Sequence, residues 1–233
     1  MWLAVVSQPC DRCANVPAPG KVDSSLKEWW EENPFDIVKA GHNLSAYERK
    51  RVFLNVAGPD GQRNFLDVSG VSGADNEGDG RSVVAGDFRH TGQLDLVMRQ
   101  SGGGPVVLYE NHFPKRHYLE VTLRGTMKEY EPGRRSNRQG VGARLVAEAG
   151  GRRIVREMYP LDSFRSQMPN VVHFGLGDAE RIDKLTILWP SGLKQELTDL
   201  TGDRLVTVEE GSDVVETVQP GRPAGQIRLL GAK

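Results

Sequence analysis

Between Asp87 and Asp95 the chain reads Asp-Phe-Arg-His-Thr-Gly-Gln-Leu-Asp, so Asp87, Thr91, Gln93 and Asp95 place oxygen donors at alternate positions. Calcium takes about six to eight oxygens from alternate side chains and a carbonyl around a tight turn. Gly92 permits such a turn. Arg89 brings a cation into the same loop, and Coulomb repulsion opposes an ion beside it. Asp87 can pair with Arg89 instead. The loop is therefore expected to hold calcium weakly or not at all, keeping the turn without the ion. The acidic run Asp75, Glu77 and Asp79 either supplies missing oxygens or is a solvated loop.

A second polar set is Asn137, Arg138 and Arg144. Arginine suits bidentate capture of a carboxylate, so these residues can face an anionic or carbonyl-bearing ligand. The alternative is that Asn137 and Gly140 set a turn while Arg144 pairs with a carboxylate. His173 sits in an apolar strand and reads as a hydrogen-bonded structural histidine. His112 and His117 flank a Lys-Arg pair in what reads as a solvated loop, and Trp189 before Pro190 reads as a core anchor ending a strand.

Cys10 and Cys13 form a CxxC pair. Ala14 excludes haem attachment, and the Pro/Gly-rich stretch after it forbids the helix of a redox pair. A second cysteine pair for zinc is missing. A local disulfide stays open, as does a lipid anchor at Cys10, although Ser7-Gln8-Pro9 does not resemble a lipobox. Gly140-Val141-Gly142 lacks the third glycine of a dinucleotide fingerprint, and Gly102-Gly103-Gly104 lacks the Lys-Ser/Thr of a phosphate loop. The chain contains neither GxSxG nor HExxH. No catalytic residue is assigned, and no facing carboxylate pair in a cleft is expected.

The elements that must position these groups read as β. The 233 residues include 27 glycines, which in short apolar runs means many tight turns. Candidate strands are 51–55, 64–69, 82–87, 94–99, 106–111, 118–123, 143–148, 152–158, 171–174, 184–189, 195–197 and 204–209. Ala149-Gly150-Gly151 and Ser191-Gly192 read as hairpin turns. One short helix is expected near residues 25–32, capped by Ser25 with Glu28 three residues on. Residues 227–230 offer a further edge strand. The net charge of −1 provides no field for nucleic acid, and no run approaches the roughly 20 apolar residues of a membrane span.

Two stretches resemble known families. Val84 to Val97, with Gly86-Asp87 and Gly92-Gln93-Leu94-Asp95, resembles the FG-GAP/VCBS repeat of integrin-type propellers, which joins two strands through a DxDxDGxxD calcium loop. Against that pattern Arg89 replaces the third-position carboxylate and Thr91 the fifth. Ser136-Asn137-Arg138-Gln139-Gly140-Val141-Gly142-Ala143-Arg144, then His173-Phe174-Gly175-Leu176-Gly177, then Trp189-Pro190-Ser191-Gly192 resemble, in order, the landmarks of ASPIC/UnbV domains. Together the resemblances cover roughly residues 45–212, and the combination resembles the cartilage acidic protein family.

The resemblance implies a mainly β fold: a propeller-blade-like FG-GAP/VCBS sheet packed on an ASPIC/UnbV β-sandwich, after a short N-terminal helix. The expected organisation is a tail and linker over 1–22, helix plus blade-like unit over 23–113, an ASPIC/UnbV-like domain over 114–212, and a C-terminal tail over 213–233. One continuous core is expected, burying Val84, Leu96, Leu108, Leu119, Val121, Phe174, Leu185 and Trp189. The implied role is a non-catalytic binding or protein-interaction module outside the cytoplasm, secreted, periplasmic or on the cell surface, with a protein or glycan partner and no cofactor other than weak calcium. The competing readings are an enzyme acting on glycans or in secondary metabolism, and a structural part of a surface assembly.

Overall fold

Short runs of β-branched and apolar residues, cut by Gly, Pro, Asn and Asp, fold here as strands. The computed structural model describes residues 49–58, 62–76, 80–100, 106–160, 163, 166–213 and 215–218. The helix expected near 25–32, Cys10 and Cys13, Glu77 and Asp79, and the edge strand at 227–230 lie outside the described residues. Among those described the protein is mainly β, with several small sheets and no closed barrel. Contacts divide it into two compact units, one bounded by Met1–Val83 and Val97–Tyr109, the other by Val84–Leu96 and Glu110–Lys233.

In the first unit β1 (Phe53–Ala57) pairs antiparallel with β2 (Arg63–Asp67). A four-residue helix, α1 (Ser69–Ser72), follows where the expected strand ran on to Ser69. Asp67 is the cause: its carboxylate accepts the Ser69 N–H at 2.9 Å and the Ser69 hydroxyl, a local turn that competes with extension of the strand. A three-stranded sheet runs in the order β3 (Gly80–Gly86), β4 (Asp95–Gln100), β5 (Val107–Tyr109). The loop from β3 to β4 belongs to the second unit.

The second unit holds two four-stranded sheets. One has the order β10 (Arg152–Glu157), β9 (Arg144–Ala149), β12 (Arg181–Leu188), β13 (Lys194–Thr201). The other has the order β11 (Val172–Gly177), β6 (His117–Arg124), β14 (Arg204–Glu209), β15 (Val215–Val218). β6 and β14 run parallel, and the other pairings in these two sheets are antiparallel. Side chains alternate across a strand, so Leu119, Val121 and Leu123 of β6, Phe174 and Leu176 of β11, and Val206 and Val208 of β14 share one face. They join Leu145 and Ala147 of β9 and Leu185 and Ile187 of β12 in a single buried cluster. The β9–β10 turn is Gly150-Gly151, both at positive φ (54° and 71°), the two-residue hairpin connection that the sequence led us to expect.

Three expectations need correction. Leu119, Val121, Phe174, Leu185 and Trp189 are buried, but Val84 and Leu96 are only half-buried and Leu108 is 49% exposed. The buried cluster draws on residues from Leu119 to Val208 and on none of those three. β5 is a three-residue edge strand, too short to bury its side chains on both faces. The hairpin of β7 (Glu129–Glu131) and β8 (Arg134–Arg135) was missed because it is exposed and charged throughout. Cross-strand ion pairs, Arg135 with Glu129 and Arg134 with Glu131, accompany it in place of apolar alternation. β15 falls in the stretch read as a C-terminal tail, where it pairs with β14.

Candidate functional site

The loop from Asp87 to Leu94 is closed by side chains. Asp87 turns back on the chain, accepting the N–H groups of Thr91 (2.8 Å) and Gly92 (2.6 Å), one on each carboxylate oxygen. Asp95 points elsewhere. It is fully buried and accepts a two-pronged bond from Arg89, Nε at 3.0 Å and Nη2 at 2.8 Å, together with the Asn111 N–H at 2.8 Å. The Arg89 bond holds the Asp95 carboxyl below the usual carboxylate range against the opposing effect of burial. Thr91 lies beside Asp87, while the Gln93 amide donates to the Phe113 carbonyl at 2.5 Å. The four candidate calcium ligands are thus split: Asp87 and Thr91 meet, and Asp95 and Gln93 are engaged elsewhere. Among the described residues no three His, Cys, Asp or Glu side chains gather as a metal site. Asp75 pairs with Arg49 at 2.9 Å.

This loop lies over the face of the β11–β6–β14 sheet turned away from the core. Gly92 sits at φ 82° against the Tyr118 ring, where any Cβ would overlap it. The Gly92 carbonyl accepts the Nε2–H of His173 at 2.9 Å, and the imidazole stacks on Tyr118 with ring centroids 5.8 Å apart. A carbonyl only accepts, so His173 carries its proton on Nε2 and offers Nδ1 as an acceptor. Burial keeps the imidazole below its ordinary value and therefore neutral, with the Gly92 bond acting in the opposite sense.

Beneath the loop is a cavity of about 410 Å³. Glu120 of β6 lines it, directly opposite His173 on one side and Leu205 on the other. Glu120 is 8% exposed. Among the described residues neither a hydrogen bond nor an ion pair reaches its carboxyl. Burial pushes that carboxyl up from 4.5 to about 7, and the nearby negative charge of Asp87 adds to the effect. Phe88, Leu94, Met158, Met168, Pro169 and Leu205 give the cavity apolar walls, and Asp87, Arg156 and Glu157 also line it. Arg156 is exposed, its Nε donating to the His173 carbonyl and its Nη1 to the Val155 carbonyl.

Asn137, Arg138 and Arg144 lie elsewhere and do not line this cavity. The Asn137 side chain holds a turn: Oδ1 accepts the N–H groups of Gln139 and Val141, and Nδ2 donates to the Val141 carbonyl at 2.8 Å. Arg138 and Arg144 are exposed, and among the described residues their side chains meet no partner. Ser136 and Ser191 converge on Glu210, which is 3% exposed and accepts both hydroxyls (2.6 and 2.5 Å) as well as the N–H and hydroxyl of Thr126. Burial acts to raise the Glu210 carboxyl, but these four donors together hold it below its usual value. Trp189 donates its indole N–H to Gln195 at 2.7 Å, and a Cβ on Gly140 would press on Leu123 and Trp189.

Ser136, Gly140, Trp189 and Ser191 are thus tied into one corner of the fold. Residues 133–215 match the family model ASPIC and UnbV. An ASPIC/UnbV domain is present, and its match contains His173, Arg156, Met158, Met168 and Leu205 of the cavity wall. Glu120 and the 85–94 wall lie outside it. Nothing among curated proteins matches the chain.

Sequence reasoning passed over Glu120 and Glu210. Glu120 occupies an outward position of an alternating strand, where glutamate is ordinarily solvated. Here the 85–94 and 168–171 segments line a cavity over that face. Glu210 follows Glu209 at the end of β14, in a turn, and its hydroxyl donors come from far away in the chain.

Proposed function

We propose that the chain is a non-catalytic, extracytoplasmic binding module of the ASPIC/UnbV type, with its ligand site beneath the 87–94 loop, inside the second compact unit. The observation that carries this reading is the cavity with a largely buried glutamate on its floor, whose carboxyl no hydrogen bond or ion pair reaches among the described residues. A polar group buried without a partner costs free energy, and a ligand that satisfies it recovers that cost. Clefts walled largely by apolar side chains and carrying a few polar groups are where small molecules bind. The Arg89–Asp95 pair supports a loop that holds its shape without an ion, so calcium has at most a weak part here.

A second reading is general acid–base catalysis. It is favoured by one observation, a carboxyl titrating at about 7 in the same cavity as a neutral imidazole whose Nδ1 accepts no hydrogen bond among the described residues.

A fragment library screened by NMR decides between the two. The binding reading expects hits that shift resonances of Glu120, Met168 and Leu205 and are recovered chemically unchanged. Turnover of any hit that stops in Glu120→Gln would establish the enzyme reading instead.

A further inference from the structure

We propose that the cavity beneath the 87–94 loop takes an organic amine, its protonated amino group against Glu120 and its apolar body against Leu94, Met158, Met168 and Leu205. This rests on the reading of the chain as a binding module and names the ligand class.

The charge at the floor decides the class. Glu120 is 8% exposed, no hydrogen bond or ion pair reaches its carboxyl among the described residues, and the charge of Asp87 bears on it. Each oxygen of Asp87 already accepts a backbone N–H, from Thr91 and Gly92, so Asp87 holds the loop and contributes negative potential to the floor. The remaining polar neighbour on the floor, His173, is neutral and sets no positive charge against a cation. The one guanidinium on the wall, Arg156, is exposed and donates to two carbonyls. An anion entering would meet Asp87 and Glu120. An ammonium would ionise Glu120 and form charge-assisted hydrogen bonds with it, roughly twice as strong as neutral ones.

Shape agrees with an apolar body. At about 410 Å³ the cavity falls in the range of small-molecule sites. Met158 and Met168 bring unbranched, polarisable side chains that adapt to irregular hydrocarbon.

Binding of a cation carries a proton signature. The titratable and charged groups around Glu120 are Asp87 and His90 from the loop, His173 from β11, Tyr118 from β6, and Arg156 and Glu157 near the end of β10. Glu120 is partly protonated at neutral pH, so an ammonium that ionises it releases a fraction of a proton, on the order of one half at pH 7.

The test uses three probes of one shape: phenylpropylamine, phenylpropanol and phenylpropionate, titrated calorimetrically into the full chain in buffers of different ionisation enthalpy. The amine is expected to bind roughly tenfold or more tightly than the other two, with proton release near neutral pH. Glu120→Gln, close to isosteric, is expected to keep its fold and lose both the preference and the proton release. If the alcohol or the acid binds as tightly as the amine, the ligand class is wrong while the binding reading stands. If none of the three binds, the inference falls, and the fragment screen decides separately whether the binding reading falls with it. Amine binding without proton release in the wild-type chain would also overturn it, because the ammonium would not then be seated on Glu120.

Discussion

Replacing Glu120 by glutamine should make the protein more stable, and only above a definite pH. The carboxyl titrates near 4.5 in an unfolded chain and about 7 in the fold. Below 4.5 both states are protonated and Glu120 carries no penalty. Between the two values the unfolded chain releases the proton while the fold retains it, so stability falls as pH rises, by roughly 1.4 kcal/mol per pH unit. Above about 7 the loss is complete, at roughly 3 kcal/mol. Glutamine keeps the shape and never ionises. Urea unfolding of wild type and Glu120→Gln at pH 4, 6 and 8 should therefore show curves that nearly coincide at the lowest pH and separate steadily, with the variant ahead by roughly 2–3 kcal/mol at pH 8. A difference independent of pH, or a variant less stable at pH 8, would mean that the carboxyl is partnered or solvated and the account of the cavity is wrong.

Three further outcomes follow from the same geometry. Calcium should leave the melting temperature of the wild-type chain unchanged, whereas Arg89→Asp, which restores a third-position carboxylate and frees Asp95, should gain roughly 1.4 kcal/mol at calcium tenfold above its dissociation constant; thermal melts with calcium and with chelator distinguish the two. Glu210→Gln should cost roughly 1–3 kcal/mol at neutral pH, because its amide keeps one accepting oxygen and turns an NH2 group on either the Ser136 and Ser191 hydroxyls or the Thr126 donors. Its wild-type carboxyl is held below 4.5, so the stabilisation is present above that value and disappears as pH falls through the folded value; the gap in urea unfolding between wild type and variant should close in acid. Gly92→Ala should cost more than about 1 kcal/mol, from the left-handed backbone alone, and should unstack His173 from Tyr118, visible as shifts of both rings by NMR.

All twelve strands read from the sequence have counterparts in the structure, because short alternating runs bounded by turn residues carry that signal locally. The hairpin of β7 and β8 gave no such signal, since its pairing is accompanied by ion pairs and its side chains are exposed. The short helix α1 was hidden by Asp67, whose side chain redirects the backbone in a stretch of strand-like composition. The metal-like spacing from Asp87 to Asp95 was legible, and so was the conflict introduced by Arg89. What the spacing did not reveal is the outcome: Arg89 takes Asp95, not Asp87. The cavity was not legible at all. It depends on a loop lying over the outer face of a sheet whose strands, β6, β11, β14 and β15, all come later in the chain, and a lone glutamate in β6 looks the same whether that face is covered or bare.

The residues that carry the ASPIC/UnbV resemblance and those that line the cavity do different work. Ser136, Asn137, Gly140, Trp189 and Ser191 are committed to turns, to close packing and to the buried Glu210. Each has its hydrogen-bonding capacity spent inside the protein, which leaves little with which to hold a ligand. Glu120 is the opposite case: its carboxyl is buried, has no partner among the described residues, and lies outside the matched stretch. His173 belongs to both sets, because its strand is a family landmark and its imidazole ties the 87–94 loop to the sheet. A cut at the start of the matched stretch would retain the landmarks and discard Glu120 and the loop. Such a piece would lack β6, on which β11 and β14 both pair. The smallest part of this chain able to test the proposed site therefore begins before Val84, well upstream of residue 133.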